Sequence, residues 1–102
     1  MKYIKPDEGK QMPVTFSAKM KYSSLHIEIV EFHLKPGEKI ELHQMPMPVM
    51  FYIADGEAWA LTENTKTLAH ESDMFFYEPN EYRGWQCDEN QQVTLLVIKM
   101  LS

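Results

Sequence analysis

The chain is poor in cysteine, with Cys87 alone, and poor in positive charge, with ten Lys and Arg against fifteen Asp and Glu. A single cysteine excludes an intrachain disulfide and fits a reducing compartment. The basic residues are scattered and form no run. At a net charge of −5 neither nucleic acid nor an anionic membrane surface is an expected partner, because phosphate contacts need a basic patch. Long apolar runs are missing too. Nothing approaches the roughly 20 residues of a membrane span, and the stretch from Met1 to Glu8 has no apolar core of signal-peptide length. A cytoplasmic protein is expected. Helical periodicity is also absent, and no helix longer than about three turns is predicted.

What remains is a chain of short β-rich runs separated by Pro, Gly and Asn. Its 102 residues suffice for one domain with a single core. Residues 1–22 contain Pro6, Gly9 and Pro13 and are read as an N-terminal arm or short edge strands near Val14 to Phe16. Leu25 to Leu34 reads as a strong strand. Leu25, Ile27 and Ile29 give way to Val30, Phe32 and Leu34, a parity shift that implies a bulge or a segment covered on both faces. Pro36-Gly37 has the order a type II turn prefers. Strands are expected at Ile40 to Met45, Val49 to Ile53, Ala58 to Thr62, Thr67 to Leu68, Met74 to Tyr77, Trp85 to Cys87 and Val93 to Leu101. Asp55-Gly56 marks a hairpin, while Pro46 and Pro48 forbid a regular ladder between Met45 and Val49. Many short strands at such spacing predict a sandwich or barrel.

Residues 37–56 carry a more specific signal. Gly37, His43, Met45, Val49 and Gly56 are spaced as the first motif of the cupin family, in which Gly, His, His, Glu and Gly occupy those places. Both glycines and the first histidine are present. Met45 replaces the second histidine and Val49 the glutamate. A weaker second motif begins at Ser72-Asp73. Aligned there, it puts Asn80 at a family glycine, Arg83 at the last histidine ligand and Cys87 at an asparagine; aligned on Pro79 instead, it puts Gly84 at the histidine. Asn tolerates a positive φ best after Gly, which favours the first alignment. The chain resembles a small single-domain cupin with degenerate metal motifs. The resemblance implies an all-β double-stranded β-helix, or jelly-roll barrel, over residues 1–102. It also implies an internal cavity and a tendency to form homodimers.

Six residues are candidates for that cavity: His43, Met45, Phe51, Arg83, Trp85 and Cys87. His43 is either a pocket imidazole or a half-buried histidine bonded to backbone. Met45, Met47 and Met50 beside it could offer soft sulfur to copper, but Met also fills irregular apolar gaps. Hence no usual metal cofactor is expected, with His43 and Met45 the only weak ligand candidates. Arg83 must meet a carboxylate such as Glu78 or Glu81, bind an anionic ligand, or reach the barrel mouth. Cys87 is either a small buried residue or a thiol near a base. His26, His33 and His70 lie on polar phases or near a turn. The expected function is binding of a small molecule, preferentially anionic. The alternative is a small isomerase or dioxygenase-like enzyme with a noncanonical metal site, and no catalytic residue can be named. A homodimer is expected from exposed-phase aromatics such as Tyr52 and from the apolar run Val93 to Leu101.

Overall fold

The computed structural model describes residues 1–102 and contains strands and turns only. Ten strands form in chain order: β1 (Lys10–Gln11), β2 (Ser17–Ser23), β3 (Ile27–Leu34), β4 (Lys39–His43), β5 (Val49–Gly56), β6 (Ala58–Leu61), β7 (Lys66–Ala69), β8 (Met74–Tyr77), β9 (Arg83–Gln86) and β10 (Val93–Met100). They assemble into two antiparallel sheets, one of order β1-β2-β3-β10-β5-β8 and one of order β4-β9-β6-β7. This is the all-β jelly roll expected from the sequence.

The core lies between the sheets and follows from period-2 alternation. Val93, Leu95 and Val97 of β10 are buried, as are Val49, Phe51 and Ile53 of β5 and Val30 and Leu34 of β3. The smaller sheet supplies Trp85, Ile40, Ala58, Ala60 and Ala69. Ala60 pairs directly with Trp85 across β6 and β9, so the largest core ring has one of the smallest residues beside it. That size complementarity is how a thin barrel reaches interior packing density.

The turns follow their residue chemistry. Gly37 has φ 81° and Glu38 N–H donates to the Lys35 carbonyl at 3.0 Å, as a type II turn requires. The hairpin expected at Asp55-Gly56 does not form: Gly56 ends β5 opposite Val93, and β5 and β6 belong to different sheets. Gly56 has φ 78°, and a Cβ there would stand 2.0 Å from the Gln92 carbonyl oxygen, so the close approach to β10 is what requires glycine. Two residues other than glycine also take positive φ, Ser72 at 73° and Asn80 at 66°. Both fall where the second motif has glycine when it is aligned on Ser72-Asp73.

Some boundaries differ from expectation. β2 begins at Ser17, beyond Val14 to Phe16, and lies inside the larger sheet with β1 at its edge. Its inward residues are only Ala18 and Met20, with Lys19 between them and Lys21 after, too weak an apolar pattern to stand out. β3 starts at Ile27, and Leu25 is 86% exposed in a turn. The irregularity foreseen in that region lies in the pairing with β2, where the register shifts between Met20 and Tyr22. Within β3 the inward phase stays even-numbered, at Val30 and Leu34.

Candidate functional site

A cavity of about 220 Å³ opens at one end of the barrel. β9 positions Arg83 and Trp85 on its inner wall, two residues apart and therefore on one face. Phe51 from β5 packs against Trp85 with ring centroids 5.2 Å apart. Phe75 meets the same indole edge-on at 5.6 Å, so the Trp85 ring is fixed by aromatic neighbours. His43 ends β4 directly opposite Arg83. Lys99 enters from β10 on the phase of Val93, Leu95 and Val97, and Met45 follows β4.

Arg83 is the only arginine in the chain and is 2% exposed. Neither Glu78 nor Glu81 forms an ion pair with it; the one Lys or Arg ion pair is Lys39–Glu41, and Glu57 and Asp73 lie beside the His70 ring. Glu81 instead accepts a hydrogen bond from the Glu78 backbone N–H at 2.9 Å. Arg83 Nη1 is enclosed without a hydrogen-bond partner, as is Trp85 Nε1. Burial lowers the Arg83 pKa, with nearby Tyr77 opposing the shift. Burial also raises the Tyr77 pKa to about 12, helped by Glu81, while its hydroxyl donates to the Leu61 carbonyl at 3.1 Å.

His43 is exposed at the cavity mouth. Its Nδ1 lies 3.0 Å from the Glu41 carbonyl oxygen. A carbonyl only accepts, so Nδ1 carries the proton. Neutral His43 therefore presents Nε2 as an acceptor, and it donates to an anion only when protonated.

Five of the six residues singled out from the sequence border this cavity: His43, Met45, Phe51, Arg83 and Trp85. Cys87 does not. It lies one residue past β9, beyond the end of the cavity, with its thiol 3.9 Å from the Leu34 carbonyl oxygen and 4.0 Å from that of Glu57. Burial, with Glu38 and Asp88 nearby, raises its pKa to about 11. A protonated, enclosed thiol is a poor nucleophile, and the only polar contacts of the thiol are backbone carbonyls, so the reading of Cys87 as a thiol near a base is not supported. The wall also contains residues that motif reading missed: Met12, Val14 and Phe16 of the arm, and Lys99. Alternation along β10 carries the signal for Lys99. The arm carries none beyond the spacing of its three apolar residues.

The residues do not fit the metal that the two motifs would ordinarily hold. The four ligand positions carry His43, Met45, Val49 and Arg83. No group of three or more His, Cys, Asp or Glu side chains converges anywhere in the structure. The methionines diverge as well. Met45 faces the cavity, whereas Met50 pairs with Ile98 and Phe76 across the larger sheet, on the phase opposite the buried Val49 and Phe51.

Comparison with solved structures settles the architecture. The polyketide cyclase RemF from Streptomyces resistomycificus superposes with a TM-score of 0.89 at 14% identity, covering 100% of this chain and 80% of that one. An RmlC-like cupin from Shewanella frigidimarina gives a TM-score of 0.86 at 13% identity over 100% of this chain and 93% of its own. The chain has the cupin fold. A predicted oxalate decarboxylase from Thermotoga maritima is similar over 99% of this cupin barrel and 100% of its own length, with a TM-score of 0.87 at 15% identity. At such identities the likeness concerns fold alone. No protein-family model matches the sequence, and no curated protein does.

Proposed function

We propose that this cupin barrel binds a small organic anion and does so without the usual cupin metal. One observation carries the reading: the only arginine of an acidic chain lies inside the cavity with no carboxylate paired to it. An uncompensated buried cation is costly, and a carboxylate ligand would supply the missing charge with two parallel hydrogen bonds. Lys99 adds to the positive field. No Asp or Glu borders the cavity to oppose it.

Calorimetric titration with simple carboxylates tests this. Arg83→Ala is expected to weaken binding by about 2–5 kcal/mol, the range for truncating one partner of a buried charge pair. Arg83→Lys is expected to restore only part, because an ammonium lacks the fork. Unchanged affinity in Arg83→Ala would overturn the reading. The competing proposal, a small isomerase or dioxygenase-like enzyme, needs an acid–base pair or a metal. His43 Nε2 would be its one base at the mouth, so His43→Gln would abolish turnover in an enzyme and leave anion binding largely intact in a binding barrel.

A further inference from the structure

The donor and acceptor balance of the cavity is one-sided. The enclosed atoms without partners are Arg83 Nη1 and Trp85 Nε1, and both are donors. No enclosed side-chain acceptor is left unpaired. The complement of such a wall is a group rich in acceptors, and an ionised carboxylate is acceptor-only. Ten of the thirteen lining residues are hydrophobic, and the other three are Arg83, His43 and Lys99. The wall therefore offers no Ser, Thr, Asn, Gln, Asp or Glu to take up hydroxyl groups on a ligand. The several hydroxyls of a polyol would find only Arg83, Lys99 and His43 as polar partners, fewer than water offers them.

Size narrows the choice further. On the scale where a cavity of roughly 150 Å³ takes benzene, the 220 Å³ here holds about nine non-hydrogen atoms, a single ring with one carboxyl group. Two aromatic pairs border the cavity. Phe16 and Phe32 form an edge-to-face pair at 5.0 Å, and Phe51 with Trp85 forms the second aromatic surface. A planar ring gains offset or edge-on contacts against such surfaces that a flexible alkyl chain does not.

Resting on the anion reading above, we infer that the ligand class is a monocyclic aromatic monocarboxylate. Its carboxylate meets Arg83 and its ring lies between the Phe16–Phe32 and Phe51–Trp85 pairs. Hydroxyl-rich acids such as sugar acids are disfavoured by the wall, and larger fused-ring bodies by the volume.

The test uses the full chain and four probes: benzoate, acetate, D-gluconate and benzamide. Binding is read by calorimetry and by methyl NMR of the protein labelled at its methionines. Met12 and Met45 border the cavity and Met74 is 59% exposed on the larger sheet, so ring-current shifts locate the ring. Benzoate is expected to bind at least about tenfold more tightly than acetate or D-gluconate, because ring burial adds to the charge contact. It is expected to shift the Met12 and Met45 methyls and leave Met74 unmoved. Benzamide, neutral and nearly isosteric, is expected to bind far more weakly, and Arg83→Met should remove the advantage of benzoate over benzamide. Equal affinity for acetate and benzoate, or tighter binding of D-gluconate, would overturn the ring assignment and leave the anion site standing. If benzoate shifts Met74 but neither Met12 nor Met45, the ring assignment also falls. If none of the three carboxylates binds, the anion site falls and takes this inference with it.

Discussion

Arg83→Met should make the protein more stable in the absence of ligand. Arg83 is 2% exposed, has no ion-pair partner and leaves Nη1 without an acceptor. Met keeps most of the aliphatic stem and its packing and removes the desolvated charge. Replacing buried ionic groups by apolar residues of similar volume gains about 1–4 kcal/mol where it gains at all. Here no attractive partner is lost, so about 2 kcal/mol is a reasonable centre. At about 4–8 °C per kcal/mol for a domain of this size, Tm should rise by about 8–16 °C in ligand-free calorimetry. The same variant should lose the stabilisation that carboxylates confer on the parent chain, as mass action requires when binding is lost. Stability and binding would then move in opposite directions, the signature of a residue retained for its ligand. A lower Tm for Arg83→Met in ligand-free protein would refute the reasoning, since it would show that the guanidinium is satisfied within the fold.

Other expectations follow from the same geometry. Cys87 and Tyr77 both hold their protons more tightly in the folded state, with pKa values raised to about 11 and about 12 by burial. Their contribution is therefore intact below the ordinary values of 9.0 and 10.0 and is lost as pH rises through the folded ones. Denaturation midpoints should fall across that alkaline window, and the fall should be shallower in Cys87→Ala and in Tyr77→Phe; parallel curves for parent and variants would count against the assignment. Metal analysis of protein purified without chelator should find no stoichiometric Fe, Mn, Zn or Ni, given one imidazole at the four ligand positions. Stoichiometric metal lost on His43→Ala would contradict this. A homodimer is expected through the larger sheet, whose outer face carries a cross-strand row Tyr22, Ile29, Ile98, Met50 and Phe76. Light scattering should report a dimer that Ile98→Glu dissociates, and a monomeric parent at micromolar concentration would refute it. Gly84→Ala should destabilise the β4–β9 edge by about 1–3 kcal/mol, because its Cβ would stand 2.7 Å from the Ile40 carbonyl oxygen; an unchanged Tm would show that β4 yields at no cost.

The parts of this fold written in local chemistry were legible. Gly37 had to be a turn glycine, and Asn80 revealed the alignment that points Arg83 inward; Asp55-Gly56 misled, because the chain there passes from one sheet to the other and makes no hairpin. β5 and β10 announced themselves by alternation. The rest depended on contacts between distant segments. β2 has two small or flexible inward residues among lysines, so its place beside β3 is decided by pairing and not by its own pattern. Met12, Val14 and Phe16 reach the cavity because the arm folds back, its loop tied by Gln11 side-chain bonds to the Met12 and Phe16 carbonyls at 3.0 and 2.9 Å. Cys87 was misplaced for a simple reason: strand phase tells which wall a side chain faces but not how far along that wall the cavity extends.

The strand order has a consequence for how this barrel comes into being. β10 lies between β3 and β5, so a strand made after both of them is the one that joins the two parts of the larger sheet. Until it exists, β1, β2 and β3 share no ladder with β5 and β8, and each piece exposes an open edge. Val97, which faces the cavity, arrives with it, paired to Val30 on one side and Phe51 on the other. Such distant pairings put this barrel among slow-folding topologies. During synthesis the cavity therefore lacks the part of its wall formed by Val97 and Lys99 until β10 has emerged, although Arg83 and Trp85 of β9 are already made.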